Sequence, residues 1–271
     1  MNKVTFIGGG NMAAAIAGGL IASGLAPTHI EVVEINADAR TRLAASMGVR
    51  VRASLSEASL HGLIVLAVKP QNLPQVAAAL APHLTTQLVL SIAAGVRVAD
   101  ISRWLGGYNH IVRAMPNTPA LVQAGIAGLY APDGVTQSER SSAEAVLRAV
   151  GGVVWVEQEH LLDAVTAVSG SGPAYVFYLI ESLEAAAVAE GLLPAAARQL
   201  ALQTFFGAAK LALESGEEPS LLRERVTSKG GTTERGIAAL EAASVKSAIA
   251  AAVAAAKLRC SELGDELGHL S

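Results

Sequence analysis

The chain has 271 residues, room for one large domain or two modest ones. It is 52% apolar, 4% aromatic and 16% charged, with a net charge of −3. That balance excludes a disordered chain, which needs low hydrophobicity and high net charge. With no basic run, it also speaks against binding nucleic acid by phosphate neutralisation.

Alanine is the commonest apolar residue, so the core must consist of close-packed helices and buried strands. The single cysteine, Cys260, permits neither an internal disulfide nor a cysteine metal cluster. No metal is expected, and a reducing cytoplasm is the natural location.

Val4–Ile7 reads as a short buried strand and Met12–Ala22 as a helix. The stretch between Lys3 and Glu31 carries no charge and is long enough for a membrane span or a signal segment. Gly8-Gly9-Gly10-Asn11 interrupts it, so a soluble strand–turn–helix is preferred and no membrane partner is expected. Gly8, Gly10 and Ala13 form a G-x-G-x-x-A turn. In it Gly8 turns the chain off the strand, Gly10 lets backbone amides approach a pyrophosphate, and Ala13 allows close helix–strand contact. A tight glycine turn without a ligand is the alternative.

The second strand, Ile30–Val33, ends at Glu34, where an acidic residue should meet the adenosine ribose. Its carboxylate would accept hydrogen bonds from ribose hydroxyls and repel a 2′-phosphate, which tilts the cofactor towards NAD. Arg40 or Arg52 could still fold over a phosphate and keep NADP open, and Glu34 could be only a solvated strand end. Helix Ala37–Met47 follows. Next come strand Leu63–Val68, helix Leu73–Leu80, strands Leu88–Ile92 and Ile111–Arg113, and a last strand Gly151–Val156. Near-continuous apolar strands separated by helices indicate a doubly wound, mostly parallel α/β sheet of Rossmann type, over residues 1–160.

Three segments end strands at the edge where such folds bind ligands. They are Ala67-Val68-Lys69-Pro70, Ser91-Ile92-Ala93-Ala94-Gly95 and Met115-Pro116-Asn117-Thr118-Pro119, in which paired prolines hold Asn117 and Thr118. Together with the glycine turn they outline a nucleotide cleft that includes Asn117.

Residues 161–271 read as all-helical: Leu161–Ala189, Leu193–Ser215, Ser220–Val226, Thr233–Ala243 and Val245–Glu266. Ser169-Gly170-Ser171-Gly172-Pro173 should kink the first of these. Thr227–Thr233 links two helices through Gly230-Gly231. It reads either as an anion cradle suited to a carboxylate or as a capped helix with Thr232 or Thr233 as N-cap. Small-residue surfaces at Ala185–Ala189 and Ala248–Ala256 allow close helix approach and imply a homo-oligomer.

In order and spacing, Phe6–Ala13, Ala67–Pro70, Met115–Pro119, Ser169–Pro173 and Val226–Thr233 resemble the pyrroline-5-carboxylate reductase family, over essentially the whole chain. The resemblance implies reduction of 1-pyrroline-5-carboxylate to L-proline with NADPH or NADH, the last step of proline biosynthesis. It implies a Rossmann-like first domain and a helical dimerisation domain whose homodimers often assemble into decamers. By motif, Ile7, Gly8, Gly9, Gly10, Asn11, Met12, Ala67, Val68, Lys69, Pro70, Ile92, Ala93 and Ala94 would contact the cofactor, NADP or NAD. Glu159, Ser228, Gly231, Thr232 and Thr233 would hold the substrate, and the Thr233 hydroxyl is the candidate catalytic contact to the ring nitrogen.

Two positions depart from the family pattern. Leu55 falls where members often carry Asn, and Glu34-Ile35 replaces a hydroxyl- or arginine-bearing stretch. Both bear on NAD versus NADP and leave the imine site untouched. A β-hydroxyacid dehydrogenase-like enzyme with Lys210 or Lys229 as acid is the rival reading. A dinucleotide-binding sensor is a third, disfavoured by the presence of two small-molecule cradles.

Overall fold

Short apolar runs flanked by glycine and proline form the sheet, as their patterning requires. The computed structural model describes residues 3–60 and 62–270. The chain divides into two units, one of Met1–Ser171 with Ala255–Ser271, the other of Gly172–Ala254.

In the first unit the described residues form β1 (Val4–Ile7), β2 (Ile30–Val33), β3 (Arg50–Arg52), β4 (Leu63–Leu66), β5 (Leu88–Ser91), β6 (Ile111–Met115), β7 (Gly125–Tyr130) and β8 (Gly151–Trp155). They make one sheet in the order β3-β2-β1-β4-β5-β6-β7-β8. All pairings are parallel except β6 with β7. β1 lies between β2 and β4, with Val4 opposite both Ile30 and Leu63. Every residue of β1, β2, β4 and β5 is buried, the property of strands covered on both faces.

Alternation along the strands feeds two cores. Phe6, Val32 and Val65 pack with Ile16 and Leu20 of α1 (Asn11–Ala22), Leu43 of α2 (Ala37–Met47), and Val146 and Leu147 of α5 (Gln137–Arg148). Ile7, Ile64 and Leu66 pack with Leu73, Ala77 and Leu80 of α3 (Leu73–Leu80) and Ile101 of α4 (Val98–Trp104). Each large side chain buried in this way contributes about 1.5–3 kcal/mol.

β3 and β7 carry weak sequence signals. β3 is a three-residue edge strand of sequence Arg-Val-Arg, and charged edges are how sheets resist unwanted pairing. β7 contains two glycines, which lower strand propensity. Gly128 is needed there, because a Cβ would stand 2.6 Å from Val165 Cγ1 of α6 (Leu161–Val165), which crosses the strand. After α6 the chain widens into a π-helical turn, Thr166–Gly170, closed by Ser171 N–H donating to the Thr166 carbonyl at 2.8 Å. The interruption expected at Ser169–Pro173 takes that form.

The second unit holds α7 (Gly172–Ala189), α8 (Pro194–Ser215), α9 (Pro219–Arg225), α10 (Thr232–Ala242) and the start of α11 (Val245–Gly268). α7 and α8 pack along one another. Ser244, at a left-handed φ of 55°, breaks α10 from α11. Among the described residues no single helix is long and apolar enough to cross a membrane.

The end of α11 belongs with the sheet. Arg97 pairs with Asp265 at 2.7 Å, Arg103 donates to the Gly268 carbonyl at 2.6 Å, and the Trp104 indole donates to the Leu270 carbonyl at 3.1 Å.

Close approach at Gly128 predicts that Gly128→Ala costs about 1–3 kcal/mol through overpacking. By contrast, Gly18→Ala, where nothing lies within 4 Å in the interior of α1, should stabilise by about 0.5–1 kcal/mol. Chemical denaturation of the two variants checks the contrast.

Candidate active site

The carboxyl ends of β1, β2, β4 and β5 lie side by side, and four expected segments meet there. Gly8 follows Ile7 with φ +101°, a left-handed conformation that suits glycine, and a Cβ would come 2.8 Å from the Ala67 carbonyl oxygen. Gly10 is the N-cap of α1 without a side-chain cap, and no atom lies within 4 Å of where its Cβ would be. The amides of Asn11, Met12 and Ala13 accordingly have no intramolecular acceptor among the described residues, and the first turn holds no acidic residue. An uncapped helix start behind an open glycine fits the diphosphate of a dinucleotide.

Glu34 is joined to this turn. One carboxylate oxygen accepts the Gly9 N–H at 2.8 Å and the other the Asn36 N–H at 2.8 Å, so Glu34 is more than a solvated strand end. Ala67 donates its N–H to the Ile7 carbonyl at 2.8 Å, and Val68, Lys69 and Pro70 lead from it towards α3. Ile92 donates to the Leu66 carbonyl at 3.1 Å, and Ala93 is buried while Ala94 is exposed.

Asn117 is only 8% exposed, and both ends of its amide are engaged within the protein. Its Oδ1 accepts the Ile126 N–H at 2.9 Å, and its Nδ2 donates to the Ser169 carbonyl at 3.0 Å. It thereby ties the start of β7 to the π-helical turn.

Glu159 sits in a group that the sequence reading did not assemble. Its Oε1 accepts the Val98 N–H at 2.7 Å and Arg113 Nη1 at 3.0 Å. Arg113, 3% exposed, is also 3.9 Å from Asp163. Asp163 accepts the Cys260 thiol at 3.3 Å. The missed signal was an arginine inside an apolar strand, since a buried charge requires partners. Burial pushes the Cys260 thiol up from its ordinary value, and its bond to Asp163 adds to the shift. Cys260 is therefore a poor nucleophile.

In the second unit the loop before α10 is closed by its own groups. Gly230, at φ +74°, donates its N–H to Glu234 at 2.8 Å, and Gly231 donates to the Ser228 carbonyl at 3.0 Å. A Cβ on Gly231 would stand 2.5 Å from Ser228 Oγ, so glycine brings this hydroxyl against the helix start. The N-cap is Gly231, not Thr232 or Thr233, because both threonines already lie within the first turn. Among the described residues the amides of Thr232, Thr233 and Glu234 carry no intramolecular hydrogen bond. Ser228, Thr232 and Thr233 are exposed in the single protomer, and Gly231 is half-buried. This is a donor-rich start to a helix, able to take a carboxylate. Lys229 is exposed, and Lys210 on α8 is exposed with Glu214 at 3.7 Å.

Residues 159–263 match the family model described as pyrroline-5-carboxylate reductase dimerisation. Residues 3–95 match the one described as NADP oxidoreductase coenzyme F420-dependent. The pyrroline-5-carboxylate reductase of Pseudomonas aeruginosa is 44% identical, over 98% of each chain. That of Synechocystis is 47% identical, over 97% of this chain and 98% of its own. A solved pyrroline-5-carboxylate reductase from Coxiella burnetii has a TM-score of 0.93 at 42% identity, covering 97% of this chain and 98% of its own. A pyrroline carboxylate reductase from Plasmodium falciparum, solved with NADP bound, has a TM-score of 0.84 at 30% identity over the same shares.

Removing the carboxylate that holds a buried guanidinium has a large cost. Glu159→Ala should lower stability by on the order of 3 kcal/mol, read by chemical denaturation. A variant that unfolds like the parent would show that Glu159 does not support Arg113.

Proposed function

The chain belongs to the pyrroline-5-carboxylate reductase family, and on that premise we propose how its residues divide the work of reducing the C=N bond of 1-pyrroline-5-carboxylate to L-proline. The observation that carries this reading is the presence, in one chain, of two uncapped helix starts. One lies behind Gly10 beside Glu34, and the other behind Gly231 beside Ser228 and two threonines.

A reduced nicotinamide, when bound, supplies the hydride. Gly8, Gly9 and Gly10 with the amides of Asn11 and Met12 receive the diphosphate, and Glu34 receives the ribose hydroxyls. Ala67–Pro70 and Ile92–Ala94 line the path towards the nicotinamide. Asn117 braces the adjoining turn.

Ser228 and the amides of Thr232 and Thr233 hold the substrate carboxylate, with Gly231 keeping the loop close. The Thr233 hydroxyl meets the ring nitrogen. No histidine stands in these motifs, so the imine is taken up already protonated and catalysis rests mainly on positioning. Glu159 contributes through Arg113 and the amide of Val98.

The second unit leaves Phe177, Tyr178, Phe206 and Leu213 exposed, the last to 83%. Apolar area of that extent marks an interaction surface. It supports a homodimer through the helical unit; assembly of dimers into decamers is what the family resemblance implies, and a cytoplasmic location is the reading of the single cysteine.

Steady-state oxidation of NADH or NADPH on adding pyrroline-5-carboxylate tests the reading, with 3-hydroxyacid oxidation as the rival activity. Thr233→Val should lower kcat/KM about 10- to 100-fold, the worth of a hydrogen bond to a charged group, while nucleotide affinity holds. Ser228→Ala should raise KM more than it lowers kcat. Unchanged kinetics in both variants would overturn the assignment. Light scattering at micromolar concentration should give a dimer or a multiple of it, and a monomer would refute the oligomer.

A further inference from the structure

The two nicotinamide cofactors differ only by a phosphate on the 2′-oxygen of the adenosine ribose. In a doubly wound nucleotide fold that ribose lies against the residue ending the second strand, here Glu34. Resting on the reductase reading above, the geometry of this corner points to NADH, not NADPH, as the selected cofactor. Glu34 and the tethered Arg40 are the residues that set this choice.

Glu34 is held in place. Its two oxygens accept from Gly9 and Asn36, each at 2.8 Å, so the carboxylate cannot turn away to admit an anion without breaking both bonds. Each oxygen retains accepting capacity for a ribose hydroxyl. A 2′-phosphate in the same place would face a fixed negative charge.

The two arginines that could offset that charge, Arg40 and Arg52, are each tethered through one nitrogen. Arg40 Nη1 donates to the carbonyls of Glu34 at 2.7 Å and Ile35 at 2.8 Å, binding the guanidinium to the backbone of the β2–α2 loop. Arg52 is paired with the buried Glu31 at 2.7 Å. Arg42 is two residues from Arg40 on α2, a spacing that does not share a face. Arg50 opens β3 beside Glu31, at the opposite end from the cofactor edge.

The start of α2 is partly capped and carries negative charge. The Asn36 side chain caps it by accepting the Ala39 N–H at 2.9 Å, and Asp38 adds negative charge to the first turn. Ile35 is 87% exposed, and its side chain offers a phosphate no donor. Thus the dianion would meet two carboxylates beside one guanidinium, that of Arg40, whose position the loop backbone fixes, whereas two ribose hydroxyls would meet an acceptor already in position. The Plasmodium falciparum relative solved with NADP makes this a property to test on this chain itself.

Fluorescence titration of the full-length protein with NADH and with NADPH, without imine, reads the choice directly, and steady-state kinetics with each nucleotide reads it again. Like-charge repulsion at this distance should make NADH bind about tenfold or more tightly than NADPH, with kcat/KM in the same order. Glu34→Gln should narrow the ratio by raising NADPH affinity. Ile35→Arg, which leaves Glu34 and its bonds in place, should do the same by supplying a cation. Circular dichroism confirms that each variant is folded. Equal or tighter binding of NADPH by the parent would overturn the inference, as would a ratio that neither folded variant moves. Failure of pyrroline-5-carboxylate to oxidise either nucleotide would overturn the reductase reading alone, because the binding ratio still decides the cofactor.

Discussion

At Gly8 the backbone leaves β1 so near the Ala67 carbonyl that a methyl group would come within 2.8 Å of it. That contact lets three neighbouring strand ends share one edge. With β1 and β4 this close, the chain must turn at once, and the left-handed Gly8 starts α1 facing open space. The amide of Gly9 then falls where Glu34 can accept from it. The uncapped helix start, the acidic corner and the Ala67–Pro70 segment are thus consequences of one close approach. A side chain at Gly8 would disturb all three.

A second constraint lies on the other half of the sheet. Arg113 is buried in β6, and a buried guanidinium is tolerable only with acceptors around it. Glu159 and Asp163 supply them from the segment leading into α6 and from α6 itself. The same carboxylates take up the Val98 amide and the Cys260 thiol, so α4 and the end of α11 are tied to one ion group. Asn117 performs the neutral equivalent, joining β7 to the π-helical turn. These polar braces hold together a sheet edge whose glycines and alanines supply little side-chain packing.

The composition also takes on meaning at the level of surfaces. Small residues on the second unit's helices leave their few large apolar side chains uncovered, and Phe177, Tyr178 and Phe206 stay exposed in one protomer. A lone unit of that kind gains little from burial, so pairing with another copy is the physical route to covering it. Hydroxyls at the start of α10 share this surface-rich unit with apolar helices, so the groups proposed to bind substrate lie on the unit that also favours association.

What the sequence determined by itself rests on short-range rules. Uninterrupted apolar runs gave away the four central strands, G-x-G-x-x-A the first turn, and Ser169–Pro173 the break after α6. Such features follow from local sterics and periodicity, which need no partner. β7 escaped notice because its two glycines serve packing against α6, and β3 because an edge strand carries arginines. The cap of α10 was open to Thr232 or Thr233 in the sequence; only the fold put it at Gly231. The same holds for the arginines. Arg40 and Arg52 are equally able, as sequence, to reach a phosphate, and only tertiary placement binds one to backbone carbonyls and the other to Glu31. A side chain's charge is written in the sequence, but what that charge is free to meet depends on which acceptors the fold brings to it.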